Sequence, residues 1–301
     1  MLNALLHHRS LPGLETVQFT FLFIEIDARR CEYLREQINA ITIPKNVEVQ
    51  VENGAFEEVF VKLVESIKGS DRTPIPTFAF IDPFGYSQAS MSLTGRFLNF
   101  PRSEALFFLP LSFVHRFVGR QGQEGAMNNL FDSERWREAI PLDGAERSNF
   151  LLGLFEVQLQ RQGQVKYVRT FSLHTKDGNE YCLVFATGHV RGLNLMKTAM
   201  WTVDPIQGTS YTARTESGQQ VLFVPEPDTG PLLEELRNSF GSKWFSVPQA
   251  CEAMIATPYV PEKHLKKRTL VPAEKSGALL VRRPDGKRAG VFTDDVRMRF
   301  K

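Results

Sequence analysis

The sequence has no apolar run of about 18 residues, so it predicts no membrane span. Its N-terminus lacks the apolar segment of a secretory signal. The three cysteines, Cys31, Cys182 and Cys251, lie far apart and form no CxxC pair and no zinc-ligand spacing. Disulfide frameworks and structural zinc are therefore disfavoured, and a reduced, cytoplasmic compartment is expected. GxSxG, HExxH and Walker motifs are lacking too, so hydrolase and P-loop functions have no support.

What the chain does have is phenylalanine, with 24 residues, and an uneven distribution of charge. Residues 241–301 carry 13 Lys/Arg and 6 Asp/Glu, a net charge of +7. The other 240 residues carry 23 and 28, a net charge of −5. A basic C-terminal module on a mildly acidic body predicts a polyanion partner, although a solvated basic surface explains the same pattern.

Strand-like and helical patterns alternate in the first half of the chain. Apolar runs at 19–26, 77–81 and 105–111 predict buried strands, and the amphipathic stretches between them predict helices. This alternation is typical of a doubly wound α/β sheet with right-handed crossovers. Further on, Asp177-Gly178 separates two strand-like runs and predicts an antiparallel hairpin. A parallel sheet that finishes in such a hairpin is the plan of class I methyltransferases, which are Rossmann-like.

The C-terminal part has a different pattern. Residues 208–230 form a polar connector with a candidate strand at 221–224. Beyond it, Ser246 is a candidate N-cap for a helix, and residues 262–275 predict a second, basic helix. Runs at 279–283 and 287–292 predict a β-hairpin. The predicted domains are therefore an α/β domain at 1–207, the connector at 208–230 and a winged-helix-like module at 231–301.

Two polar side chains at predicted strand ends are candidates for cofactor binding. Glu25 lies where a carboxylate can accept both ribose hydroxyls of a nucleoside cofactor. A helix N-cap or first-turn acid is the alternative for Glu25. Asn53 ends the next strand and can bind an adenine amino group, although a turn-forming Asn-Gly pair is the preferred explanation.

The string Asp82-Pro83-Phe84-Gly85-Tyr86 follows a predicted buried strand. Amino-methyltransferases carry an Asp/Asn-Pro-Pro-aromatic string here, which accepts hydrogen bonds from the target amine and stacks on the base. Phe84 replaces the second proline, and Gly85 intervenes before Tyr86. The string predicts a catalytic group of Asp82, Pro83, Phe84 and Tyr86, in which positioning drives methyl transfer. An Asp-Pro turn that caps a helix is the alternative.

The basic side chains of the C-terminal module are the candidate nucleic-acid contacts, because cations neutralise phosphates. They are Lys263, Lys266, Lys267, Arg268, Arg282, Arg283, Lys287 and Arg288. For Leu265 and Leu270 in the same stretch, simple core packing is the interpretation.

Four strings together resemble the three-Cys-motif partner proteins (TcmP), a bacterial family. They are 23-FIEID-27, 80-FIDPFG-85, the stretch 181–200 and 264-HLKKRTL-270. The resemblance implies a methyltransferase-like fold, S-adenosylmethionine as cofactor, an unknown substrate and a neighbouring-gene three-Cys-motif protein as partner. The three cysteines of this chain are not that motif. The resemblance also singles out Asn194 and Lys197, for which helix packing and capping is the predicted role.

One departure from the family concerns its first strand and the glycine-rich loop that holds the methionine part of the cofactor. Neither is found before the run at 19–26. We therefore expect a sheet that lacks its first strand, in which the strands at 19–26 and 77–81 pair directly or leave an open seam. A truncated gene start, a relative that has lost its cofactor, or a strand borrowed from a partner would each explain the departure.

Two functions follow as hypotheses. The first is an S-adenosylmethionine-dependent methyltransferase-like protein that acts on nucleic acid. The second is a catalytically inactive binding protein that contacts nucleic acid, or the neighbouring-gene protein, through its C-terminal module. A nuclease would need clustered metal-binding acids, and the sequence offers no convincing set.

Overall fold

The computed structural model describes residues 2–8, 11–68, 75–82, 90–213, 226–284 and 288–301. Its α-helices are α1 (Leu2–Leu6), α2 (Ala28–Asn39), α3 (Phe56–Lys68), α4 (Met91–Leu98), α5 (Leu111–Phe117), α6 (Glu124–Phe131), α7 (Gly144–Gly163), α8 (Val190–Val203), α9 (Gly230–Phe240), α10 (Val247–Ala253) and α11 (Val271–Lys275). Leu11–Leu14 and Glu134–Ala139 form 3-10 helices, and Pro261–Leu270 forms a π-helix. The strands are β1 (Phe19–Glu25), β2 (Val47–Asn53), β3 (Thr77–Ile81), β4 (Ser103–Leu109), β5 (Tyr167–His174), β6 (Glu180–Thr187), β7 (Ser210–Thr212), β8 (Phe245–Ser246), β9 (Leu279–Arg282) and β10 (Arg297–Phe300).

A five-stranded mixed sheet has the strand order β3-β4-β6-β5-β7, and we call the part of the chain built around it the first domain. β3 and β4 are parallel, whereas β6 runs antiparallel to both of its neighbours, β4 and β5. Every second residue of β4 is buried, and Phe107 meets Phe155 of α7 edge to face at 5.4 Å. This packing attaches the helical layer to the sheet. The predicted mixed α/β class is confirmed.

The predicted hairpin joins β5 and β6. Gly178 has a φ of +78°, a conformation that costs glycine nothing because it has no Cβ. The Thr175 N–H donates to the Asn179 carbonyl and closes the turn. The hairpin prediction from Asp177-Gly178 is therefore confirmed.

β1 and β2 form a separate, parallel two-stranded sheet, from Phe19 opposite Val47 to Glu25 opposite Asn53. β1 is not hydrogen-bonded to β3, so the open-seam alternative is the one that the structure shows. The prediction that the strands at 19–26 and 77–81 are buried is wrong for most of their residues. No residue of β1 is buried, and Phe78 and Phe80 of β3 are 42% and 47% exposed. A two-stranded sheet and an edge strand have too few neighbours to cover both faces.

The C-terminal module has its own core. α9, α10, the π-helix and α11 pack on an antiparallel sheet in the order β8-β10-β9. Ser246 caps α10 as predicted, and it forms a capping box with Gln249. The predicted second hairpin strand at 287–292 is wrong for the residues that are described there, 288–292. β9 pairs instead with β10. In β10, Met298 and Phe300 alternate with arginines and are buried in the core of the module.

The predicted helix at 262–275 divides into the π-helix and α11. Its buried side chains recur as pairs five residues apart, at His264-Leu265 and Thr269-Leu270, which fits i→i+5 hydrogen bonding. Pro272 has no N–H, so the carbonyl of Arg268 lacks its usual helical donor. The Thr229 hydroxyl donates to that carbonyl instead, at 3.0 Å. The proline and the burial pattern together explain the wider turn.

Lys197 of α8 connects the first domain to the C-terminal module. Its Nζ is buried and donates to the carbonyl oxygens of Met254, Ile255 and Tyr259 at 3.0, 2.9 and 3.5 Å. Met254 follows the last residue of α10, so the ammonium group satisfies carbonyls at the end of that helix. The predicted packing and capping role is confirmed for Lys197.

Two further side chains of the first domain donate hydrogen bonds to the loop that follows α10. The Arg169 guanidinium donates to the carbonyl of Ala256 at 3.2 Å, and the Trp201 indole donates to that of Pro258 at 2.9 Å. The Trp201 ring also lies 4.2 Å from the ring of buried His264. The first domain thus contributes an aromatic side chain to the core of the module.

Candidate functional site

Glu25 lies at the carboxyl end of β1, and its side chain is 22% exposed. Its Oε1 accepts a hydrogen bond from the Asp27 N–H at 3.0 Å, and its Oε2 lies 3.8 Å from Nη1 of Arg30. Asp27, not Glu25, caps α2, because its carboxylate accepts from the N–H groups of Arg29 and Arg30. Glu25 therefore stabilises the turn between β1 and α2.

Asn53 lies beside Glu25 at the end of β2. Its Nδ2 donates to the carbonyls of Glu25 and Ile26, both at 3.0 Å. The Gly54 N–H donates to the Glu25 carbonyl as well, at 3.1 Å. Both amide hydrogens of Asn53 thus hold the ends of β1 and β2 together, and this role differs from the predicted adenine contact.

Asp82 follows the last residue of β3 in the other sheet, and its side chain is exposed. Partial desolvation raises the pKa of Asp82 above its ordinary value. The other predicted catalytic residues, Pro83, Phe84 and Tyr86, lie outside the described residues. The structure therefore brings Glu25 and Asn53 together and places Asp82 at the end of a strand in a different sheet.

The described ranges contain no group of three or more His, Cys, Asp or Glu side chains that could hold a metal ion. No helix within them has the length and apolarity that a membrane span needs.

The π-helix exposes four of the predicted nucleic-acid contacts. Lys263, Lys266, Lys267 and Arg268 all lie at the surface. Arg268 lies 3.7 Å from the carboxylate of Glu226. On the opposite side, Leu265 and Leu270 are completely buried, which confirms the core-packing interpretation for them.

The predicted nucleic-acid contacts at the end of β9 and beyond it differ in whether their charges are already paired. Arg283 forms a two-pronged ion pair with Glu274, with both distances 2.6 Å, and its Nε donates to the carbonyl of Val291. The guanidinium of Arg283 is therefore already paired with groups of the module itself. Arg282 and Arg288 are exposed, whereas Lys287 lies outside the described residues.

Three residues of the same module were not predicted from the sequence to be functional. Trp244, Arg297 and Arg299 lie on the side of the three-stranded sheet opposite Met298 and Phe300. The signal that could have revealed them is the alternation Arg-Met-Arg-Phe at 297–300, which is typical of a half-buried strand with one basic face.

Protein-family profiles, curated proteins and solved structures yield no match to this chain.

Proposed function

We propose that this chain is a nucleic-acid-binding protein, and that its C-terminal module contacts phosphates. The observation that carries the proposal is the exposed basic surface of the π-helix, formed by Lys263, Lys266, Lys267 and Arg268. Among the described residues, Arg268 is the one member of this group with an ion-pair partner. Lysine and arginine side chains presented in this way neutralise phosphates and release counterions.

The arrangement of the module supports the same proposal. The helices and the antiparallel sheet agree with a winged-helix-like plan, in which a helix and a β-hairpin both reach nucleic acid. The hydrophobic side of the π-helix is anchored in the core by Leu265 and Leu270, so its basic side is held at the surface. The resemblance to TcmP adds a three-Cys-motif protein as a second proposed partner.

The proposal is tested with the combined variant Lys266→Gln, Lys267→Gln and Arg268→Gln. Fluorescence anisotropy measures its affinity for labelled duplex and single-stranded oligonucleotides at low salt. We expect binding at least about tenfold weaker than that of the wild type, because up to three phosphate contacts are lost. The matched control neutralises three exposed lysines of the first domain, Lys45, Lys166 and Lys176. Equal affinity of variant and control would contradict the proposal.

Methyl transfer is our second candidate, and the strand order favours it. An antiparallel β6 lies between β4 and β5, as expected for the class I methyltransferase plan. Acidic side chains also end two strands of the described structure, Glu25 on β1 and Asp82 after β3. Ligands of α/β proteins bind outside the carboxyl ends of such strands.

The side chains of Asn53 and Glu25 already hold the backbone at the ends of β1 and β2. The Asn53 amide hydrogens are both donated to carbonyls, so its Oδ1 is the atom that would accept from an adenine amino group. Glu25 accepts one N–H bond at Oε1, and its remaining lone pairs are the ones that ribose hydroxyls would use. We derive no transfer step from these two residues.

Calorimetric titration with S-adenosylhomocysteine tests this second candidate. Binding by the wild type that is lost in Glu25→Ala would support a methyltransferase. No heat of binding with the wild type would reject it and leave the nucleic-acid-binding proposal in place.

A further inference from the structure

We propose that the outer side of the three-stranded sheet is a second phosphate-binding surface for nucleic acid. We name it the Trp244 face, and it consists of Trp244, Arg282, Arg297 and Arg299. The inference rests on the proposed function, because it assigns a further contact to the same module.

Strand pairing places these side chains on one side of the sheet. In β10, Met298 and Phe300 are buried in the core, so Arg297 and Arg299 point to the opposite side. The register sets Arg297 directly opposite Arg282 of β9. Phe245 lies opposite Met298, so Trp244, one residue earlier, falls on the outer side with the arginines.

The Trp244 ring organises two of the arginines. The Arg282 Cζ lies 4.3 Å from the ring centroid, and the Arg299 Cζ lies 5.2 Å from it. Stacking of this kind holds a guanidinium by cation–π attraction while its N–H groups stay able to donate. A phosphate accepts two such N–H groups at once, which makes positioned arginine well suited to phosphate recognition.

The charges of the Trp244 face are not neutralised within the described residues. Like charges directly opposite each other on a sheet are destabilising, yet no described carboxylate lies within ion-pair distance of Arg282, Arg297 or Arg299. Arg297 has a long contact, 3.5 Å, to the neutral side chain of Gln249. Among the described atoms, Nε of Arg299 is buried and has no hydrogen-bond partner.

Arg283, just after the end of β9, shows how the module holds an arginine that supports the fold. It follows Arg282 directly, and its guanidinium is held by both carboxylate oxygens of Glu274. The module therefore provides an acid where an arginine supports the fold. An external anion would supply the equivalent acceptors on the Trp244 face.

Nucleic acid fits this surface better than an acidic peptide does. Arg297 and Arg299 are two residues apart on an extended strand, so a peptide would need acidic side chains at matching positions to pair with both. The arginines are also fixed in position, and a repeated phosphate backbone offers acceptors in every register.

The test combines affinity with tryptophan fluorescence. The variant Arg282→Gln, Arg297→Gln and Arg299→Gln is compared with the π-helix variant and the three-lysine control, after circular dichroism shows that each is folded. We expect at least about tenfold weaker binding of labelled single-stranded and duplex oligonucleotides. Trp136 and Trp201 are 2% and 5% exposed, so quenching on binding should come from half-buried Trp244 and disappear in Trp244→Phe.

The outcomes separate this inference from the proposed function. Wild-type affinity of the arginine variant would overturn the Trp244 face, and the helix proposal would stand if the π-helix variant loses binding. The converse result would support the Trp244 face and reject the π-helix as the contact. Equally tight binding of polyglutamate and oligonucleotide would overturn the inference in favour of an acidic protein ligand. Tighter single-strand than duplex binding would identify which form of nucleic acid is bound.

Discussion

Replacing Lys197 with methionine should loosen the junction between the two domains. Methionine keeps much of the apolar stem but removes the donor that serves Met254, Ile255 and Tyr259. Each buried carbonyl left without a donor costs about 1–3 kcal/mol. Burial of a charge is relieved at the same time, which offsets part of this loss. Counting the two shorter bonds, we expect the free energy of unfolding to fall by about 2–4 kcal/mol.

The same lysine gives stability a characteristic pH dependence. Burial lowers the pKa of Lys197 from 10.5 to about 7, and the charge of Arg169 adds to the effect. Between these two values the unfolded chain holds a proton that the folded chain has released. Stability should therefore rise with pH across this window, with a slope of up to ~1.4 kcal/mol per pH unit. Below pH 7 this group contributes no slope, because Lys197 is protonated in both states.

Urea unfolding between pH 6 and 10 measures both effects. In Lys197→Met the rise in stability above pH 7 should be lost, whereas Lys166→Met, which changes an exposed lysine, should keep it. The two domains should also unfold in separate steps in the Lys197 variant, detected by tryptophan fluorescence and circular dichroism. Wild-type stability and an unchanged pH profile in Lys197→Met would refute this account of the junction.

Three other predictions concern stability alone. Asn53→Ala should lower the free energy of unfolding by about 1–2 kcal/mol in urea titrations, because two bonds to the end of β1 are lost; an unchanged midpoint would contradict this. Hydrogen bonding to Arg283 lowers the pKa of Glu274, so Glu274→Gln should lose about 1–3 kcal/mol at neutral pH. That difference should shrink as pH falls through the folded-state pKa and the wild-type carboxylate is protonated; a constant difference would argue against the ion pair. Amides of β1 should exchange hydrogen faster than those of β4, since β1 belongs to a two-stranded sheet, and equal protection would count against an open seam.

Features set by local sequence were the predictable ones. The hairpin follows from Asp177-Gly178, and the α10 cap follows from Ser246, because turn and cap preferences depend on a few adjacent residues. The alternation of apolar strands and amphipathic helices was also sufficient for the mixed α/β class.

Features set by pairing between distant segments were not predictable from the same patterns. The strand at 19–26 is as apolar as a buried strand, but its exposure depends on which strands flank it. The partner of β9 lies at 297–300 because Met298 and Phe300 fit the core, and a nearer run at 287–292 was the simpler choice from sequence. In the π-helix, the carbonyl of Arg268 accepts from the hydroxyl of Thr229, which is distant in sequence.

The candidate site shows the same division. The exposed cations of the π-helix could be predicted, since a basic run usually lies at the surface. The ion pair of Arg283 and the Trp244 face could not, because both depend on side chains that meet only in the folded module. Asn53 is a similar case, because its side-chain amide donates to the carbonyl of Glu25 at the end of the neighbouring strand.

The salt dependence of nucleic-acid affinity tests the central claim most directly. If the π-helix and the Trp244 face both contact phosphates, roughly five or six counterions are released on binding duplex DNA. A plot of the logarithm of the association constant against that of the salt concentration should then have a slope of about −5. A slope near zero, or no measurable binding at low salt, would contradict the claim that the basic module of this chain binds nucleic acid.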